Sequence, residues 1–107
     1  MAAALEYLEN EVLTASRHRL HLLVVEGAMR FARQALLALE EQRWEDFGNL
    51  MIRSRKCLTE IIGGIQTGHA PEMAKQLQDL FFYVYQCFVV ADLRREAQKI
   101  YDGLKLL

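Results

Sequence analysis

Among the side chains able to do chemistry, His18 and His21 come closest to a recognisable arrangement, three residues apart on a segment that reads as one helix. Two such imidazoles can meet at one metal ion, but a metal centre needs further ligands, and neither histidine has an acidic residue three or four positions away. No Glu-x-x-His occurs in the chain, so the motif of a carboxylate-bridged bundle is also missing. A phosphotransfer histidine needs a polar, basic face with a lysine to neutralise phosphoryl charge. Three and four residues after these histidines stand His21 and Leu22, then Val24 and Val25, which is the wrong surrounding. Gly63-Gly64 lacks the spacing of a phosphate-cradling loop and reads as a turn. Ser16, Cys57 and Cys87 have no base at a recognisable spacing. Arg53, Arg55 and Lys56 read as a solvated helix face, with contact to an acidic client as the lesser reading. Tyr83, Tyr85 and Phe88 read first as core aromatics. The residues therefore point away from catalysis, metal and cofactor.

Composition narrows the class further. The 107 residues fit one domain, 1–107, and hydrophobic residues make up 52% of them, enough for a single core. Thirteen basic residues against fourteen acidic ones leave a net charge of -1, which argues against a nucleic-acid or anionic-membrane surface. No basic stretch followed by an apolar one and a cleavage site opens the chain. The longest apolar run, Leu80 to Val90, is interrupted by Gln86 and is too short to cross a bilayer. A soluble cytoplasmic protein with free thiols at Cys57 and Cys87 is expected.

The elements that position these residues are helices throughout. Leu5, Leu8 and Val12 predict a short helix over residues 3 to 13, and Thr14 or Ser16 can cap a second from about Arg17 to Glu41. Trp44, Phe47, Leu50, Met51, Leu58, Ile61, Ile62 and Ile65 define one face of a third, ended by Gly63 and Gly64. Pro71 suits the first turn of a helix running to about Asp92, with Met73, Leu77, Leu80, Phe81, Val84, Phe88 and Ala91 inward. A last helix from about Arg94 presents Ala97, Ile100, Tyr101 and Leu104, and ends on apolar residues without a cap, as a helix cut short does. Brief links between long helices predict an all-α, antiparallel up-and-down four-helix bundle with a short N-terminal helical segment.

Two of these helices are apolar beyond one face. Over residues 17 to 39, Leu20, Leu23, Val24, Gly27, Phe31, Ala35 and Ala38 share one side, while Leu22, Val25, Met29, Ala32 and Leu36 form a second. Phe82, Tyr85 and Val89 widen the later helix in the same way. Surplus apolar helix surface is chemistry for holding another chain.

Specific residues then resemble a known family. Tyr7, Val12, Thr14-Ala15-Ser16, Leu20 and the run Val24-Val25-Glu26-Gly27-Ala28-Met29 resemble the N-terminal signature of FliS, the export chaperone of flagellin. Arg17 stands where that signature has proline, Val25 where it has tyrosine, and Glu26 where it has aspartate. Asn49, Ile52, Ser54, Leu58, Glu60 and Ile61 are similar to the family's second bundle helix. Leu77, Leu80, Phe81, Tyr83, Ala91-Asp92 and Leu93 are similar to a later one, with Phe81 and Phe82 in place of a Tyr-Asp pair. The resemblance implies a non-enzymatic cytoplasmic bundle that binds the disordered C-terminal segment of flagellin, prevents early polymerisation and delivers the subunit to the flagellar export apparatus. It also implies a longer last helix than this chain carries. Combined with the surplus surface, it makes Tyr7, Leu22, Val25, Met29, Leu36, Phe82, Tyr85 and Val89 the expected flagellin contacts. The N-terminal segment, through Leu5, Tyr7 and Leu8, is expected to shield part of that surface. The alternative is a homodimeric helical scaffold without an export role, in which a second copy fills the surplus seam.

Overall fold

The apolar spacing is realised as four helices, α1 Ala2–Glu40, α2 Trp44–Gly64, α3 Pro71–Arg94 and α4 Ala97–Leu104. The computed structural model describes the backbone of residues 2–65, 68 and 70–107, and the side chains of these residues except 2, 3 and 5–18. No strand occurs among the described residues.

The separate N-terminal helix expected over residues 3 to 13 is instead the beginning of α1, and Thr14 and Ser16 lie inside that helix rather than capping a second. The reason is local. No glycine or proline occurs between Ala2 and Glu26, and Arg17, a good helix former, occupies the place of the proline that would have set a boundary. At 1.5 Å per residue a helix of this length extends roughly 58 Å. A segment continuous with α1 cannot fold back over a surface that α1 itself lines, so the expected shield is not formed that way.

Each turn is built from named groups. Gln42, at φ 59°, reverses the chain after α1, where the Arg43 N–H donates to the Ala38 carbonyl at 2.8 Å and the Gln42 N–H to Leu39 at 3.1 Å. Arg43 then holds Glu41 at 2.7 Å and Asp46 at 2.8 Å, tying the turn to the first turn of α2. Arg95, at φ 52°, plays the same part after α3, with the Glu96 N–H donating to Ala91 at 3.2 Å. Its guanidinium lies 4.2 Å from the Trp44 ring centroid, which fastens the start of α2 to the α3–α4 turn.

The helices pack as a ring, each against the next and α4 back against α1. Ser54 fixes α1 on α2 by donating its buried hydroxyl to the Ala28 carbonyl at 2.8 Å. Arg55 and Asp92, both largely shielded from water, join α2 to α3 at 2.7 Å. The core between them holds Phe47, Met51, Leu58, Ile61, Val84, Phe88 and Ile100. On α1 its lining is small, namely Ala28, Ala32, Ala35 and Ala38, all fully buried. Leu20 and Leu23, which share a side with Gly27, Ala35 and Ala38, are exposed, because close approach to α2 selects small side chains and leaves large ones on the flanks.

The seat of α4 is equally tight. A Cβ built on Gly103 would stand 2.5 Å from Cε1 of Phe88, a ring with no room to retreat because it is fully buried. Gly103→Ala is therefore expected to destabilise the bundle by about 1–3 kcal/mol in urea unfolding. Gly48→Ala, where nothing lies within 4 Å of the new Cβ inside α2, is expected to stabilise it by about 0.5–1 kcal/mol. Equal effects at the two positions would refute this account of the α4 seat.

Candidate functional site

On α3, Met73, Leu77, Leu80, Val84, Phe88 and Ala91 follow one another at spacings of three and four and so form a single row. Val84, Phe88 and Ala91 are fully buried, yet Leu77 is 42% and Met73 61% exposed. The difference lies in what covers the row. α4 has 8 residues against the 24 of α3, and Gly103 pins it beside Phe88, so it shields the C-terminal part of α3 only. Nothing among the described residues takes the fourth position beyond it.

The facing row belongs to α1. Leu22, Val25, Met29, Ala32 and Leu36 again lie three or four apart. Ala32 is fully buried, Val25 and Leu36 pack partly against the core, Met29 is half-buried and Leu22 is 57% exposed. The cover thins along both rows in the same direction, toward the end of the bundle away from α4. There His21 meets Phe81 edge to face, with ring centroids 6.4 Å apart and planes at 77°. These two rings bring α1 and α3 together at that end, where Leu22 of α1 and Leu77 and Met73 of α3 are exposed, and we call the apolar surface so outlined the groove.

The remaining expected contacts lie elsewhere. Phe82 is exposed and stacks on Tyr85, centroids 6.3 Å apart and rings 6° from parallel, while Val89 is half-buried one turn on from Tyr85. Tyr85 precedes Asp92 by seven residues, and Asp92 is held by Arg55, so this ridge looks along α3 toward the α2 side. Tyr7 and His18 lie outside the described side chains.

Cys57 and Cys87 are both free thiols. Burial pushes the Cys57 thiol above its ordinary value, Glu60 adds to that and Arg30 opposes it, so it is a poorer nucleophile than a free cysteine. The Tyr83 phenol is raised chiefly by its hydrogen bond with Cys87. Among the described residues no cluster of three metal-ligating side chains occurs, and no helix is long and apolar enough to cross a membrane.

Comparison with known proteins gives this helical bundle a family. The model of the family described as flagellar protein FliS matches residues 1–107, the whole chain. The chain belongs to the FliS family. Among curated proteins none matches. FliS proteins are flagellar export chaperones that bind flagellin, and this bundle supplies an all-helical frame for that role. Of the groove residues, Leu22 was expected at the site, whereas Met73 and Leu77 were expected in the core because their spacing matches that of Phe88. The short pattern of α4 was the available signal, since two turns cannot cover six.

Removing Met73 should accordingly behave unlike removing Phe88. Met73→Ala is expected to change the unfolding free energy by no more than about 0.5 kcal/mol, and Phe88→Ala to lower it by about 3–5 kcal/mol. A large loss at Met73 would place that side chain in the core and close the groove.

Proposed function

We propose that the groove between α1 and α3 receives the disordered C-terminal segment of flagellin, which takes the unfilled fourth position of the bundle as a helix. The observation that carries this reading is the row from Met73 to Ala91, buried where α4 lies and exposed where it does not. A client helix laid on the exposed part continues the packing that α4 begins, and helical structure satisfies its backbone in an apolar groove.

The magnitudes are compatible with a groove of this kind. Ordering a disordered segment costs about 2–5 kcal/mol. Apolar burial returns about 25 cal/mol per Å², so roughly 200 Å² offsets the larger figure and further contact supplies affinity. Leu22 and Val25 on α1 lie along the path of the segment, Met29 and Leu36 continue their row toward the end that α4 covers, and the Phe82, Tyr85 and Val89 ridge extends the surface for a client long enough to wrap around α3. Tyr7, which belongs to the same helix, is a further client contact in this reading. Held in this way in the cytoplasm, the flagellin terminus is unable to pair with other subunits until the export apparatus receives it.

Titration calorimetry with a flagellin C-terminal peptide tests the reading. Leu77→Asp and Leu22→Asp are expected to weaken binding at least about tenfold by bringing an unpaired charge into an apolar contact. Both positions are exposed in the free protein, so circular dichroism should remain unchanged. Wild-type affinity in both variants would remove the client from the groove. A wild-type dimer in sedimentation that the peptide leaves intact, and that Leu77→Asp dissociates, would assign the groove to a second copy.

A further inference from the structure

The face where α1 lies on α2, on the other side of the bundle from the groove, carries a different chemistry. Arg30 of α1 and Arg53 of α2 converge on one aromatic ring, with guanidinium carbons 5.3 and 5.9 Å from the Phe31 centroid. Arg30 also reaches the helix seam, its Nη2 lying 4.0 Å from where a Cβ on Gly27 would stand, beside the Sγ of Cys57. Among the described residues neither arginine forms an ion pair, in contrast to Arg43 and Arg55. Lys56, exposed and three residues after Arg53, adds a third cation.

Two like charges drawn to one ring repel each other, and the ring offsets only part of that, about 0.5–1 kcal/mol for each cation at an exposed site. An incoming carboxylate removes the repulsion and accepts from both planar N–H forks. The half-buried Phe31 holds the forks from behind and gives the partner an apolar contact. Glu26, four residues before Arg30, and Glu60, four after Lys56, flank the cluster and repel an extended polyanion such as a nucleic acid or an anionic bilayer.

We propose that Arg30, Phe31 and Arg53 form a docking site for a protein segment bearing spaced carboxylates, on a face that remains open while the groove is occupied. The site is independent of the flagellin reading, and so is its test.

The probe is an alanine-rich helical peptide with glutamates at positions i and i+4, titrated at low salt while the arginine Nε and Phe31 ring resonances are followed by NMR. Saturable shifts are expected at Arg30, Arg53 and Phe31, absent when the glutamates are replaced by glutamine. Arg53→Gln is expected to weaken binding about fivefold, the scale of one exposed ion pair, and Arg30→Lys to weaken it as well by losing the fork. Shifts of equal size at Arg94, Arg95 and Lys99, full retention by Arg30→Lys, or a stronger response at the same residues to phosphatidylglycerol vesicles would each overturn the proposal. Both substitutions change exposed side chains, and unchanged shifts elsewhere report that the fold is intact.

Discussion

The contact of Phe88 with a residue that has no side chain sets the position of α4, and the rest of the surface depends on that position. Gly103 lets the helix sink onto the ring, and Ile100 is buried with it. Because α4 ends one residue later at Leu104, the cover it gives stops there, while α1 and α3 run on. Within residues 1–107 the rows of α1 and α3 beyond α4 are left exposed. The apolar lining of the groove follows from the same cause, since the inward rows of α1 and α3 keep their spacing past the point where the cover ends.

The other constraint is the closeness of α1 to α2. Four alanines of α1 are fully buried and the Ser54 hydroxyl binds the Ala28 carbonyl, while Leu20, Leu22, Leu23 and Leu37 of the same helix are exposed. This accounts for a helix with more apolar surface than one seam uses. It also places the glycine at position 27 beside Cys57 and brings Arg30 within reach of the Arg53 side, which gives the α1–α2 face its separate character. The Leu22 and Leu77 end of the bundle and the Arg30 and Arg53 pair are therefore separate features of one small bundle.

Much of this was legible in the residues. The helical periods of α2 and α3, Pro71 at a first turn and the all-α class follow from spacing and turn chemistry alone, and the signature from Tyr7 to Met29 carried the family. What sequence could not provide was which of two apolar sides of α1 turned inward. A wheel weighs hydrophobicity, and by that measure Leu20 and Leu23 outrank Ala28 and Ala32, whereas packing ranks by size once two backbones approach closely. Met73 and Leu77 were read as core for a related reason, because spacing reports a row and not what lies over it. The Arg30 and Arg53 pair was invisible as a unit, as its members stand on different helices and meet only through Phe31.

The measurement that tests the groove most directly is the pattern of intermolecular NOEs between a labelled flagellin C-terminal segment and methyl groups of the intact chain. The account predicts contacts from the client to Leu22, Met73 and Leu77, with helical carbon shifts in the client and none to Leu93 or Ile52, which are exposed away from the groove. Contacts confined to Leu93 and Ile52, or a client that stays random-coil at saturation, would contradict it.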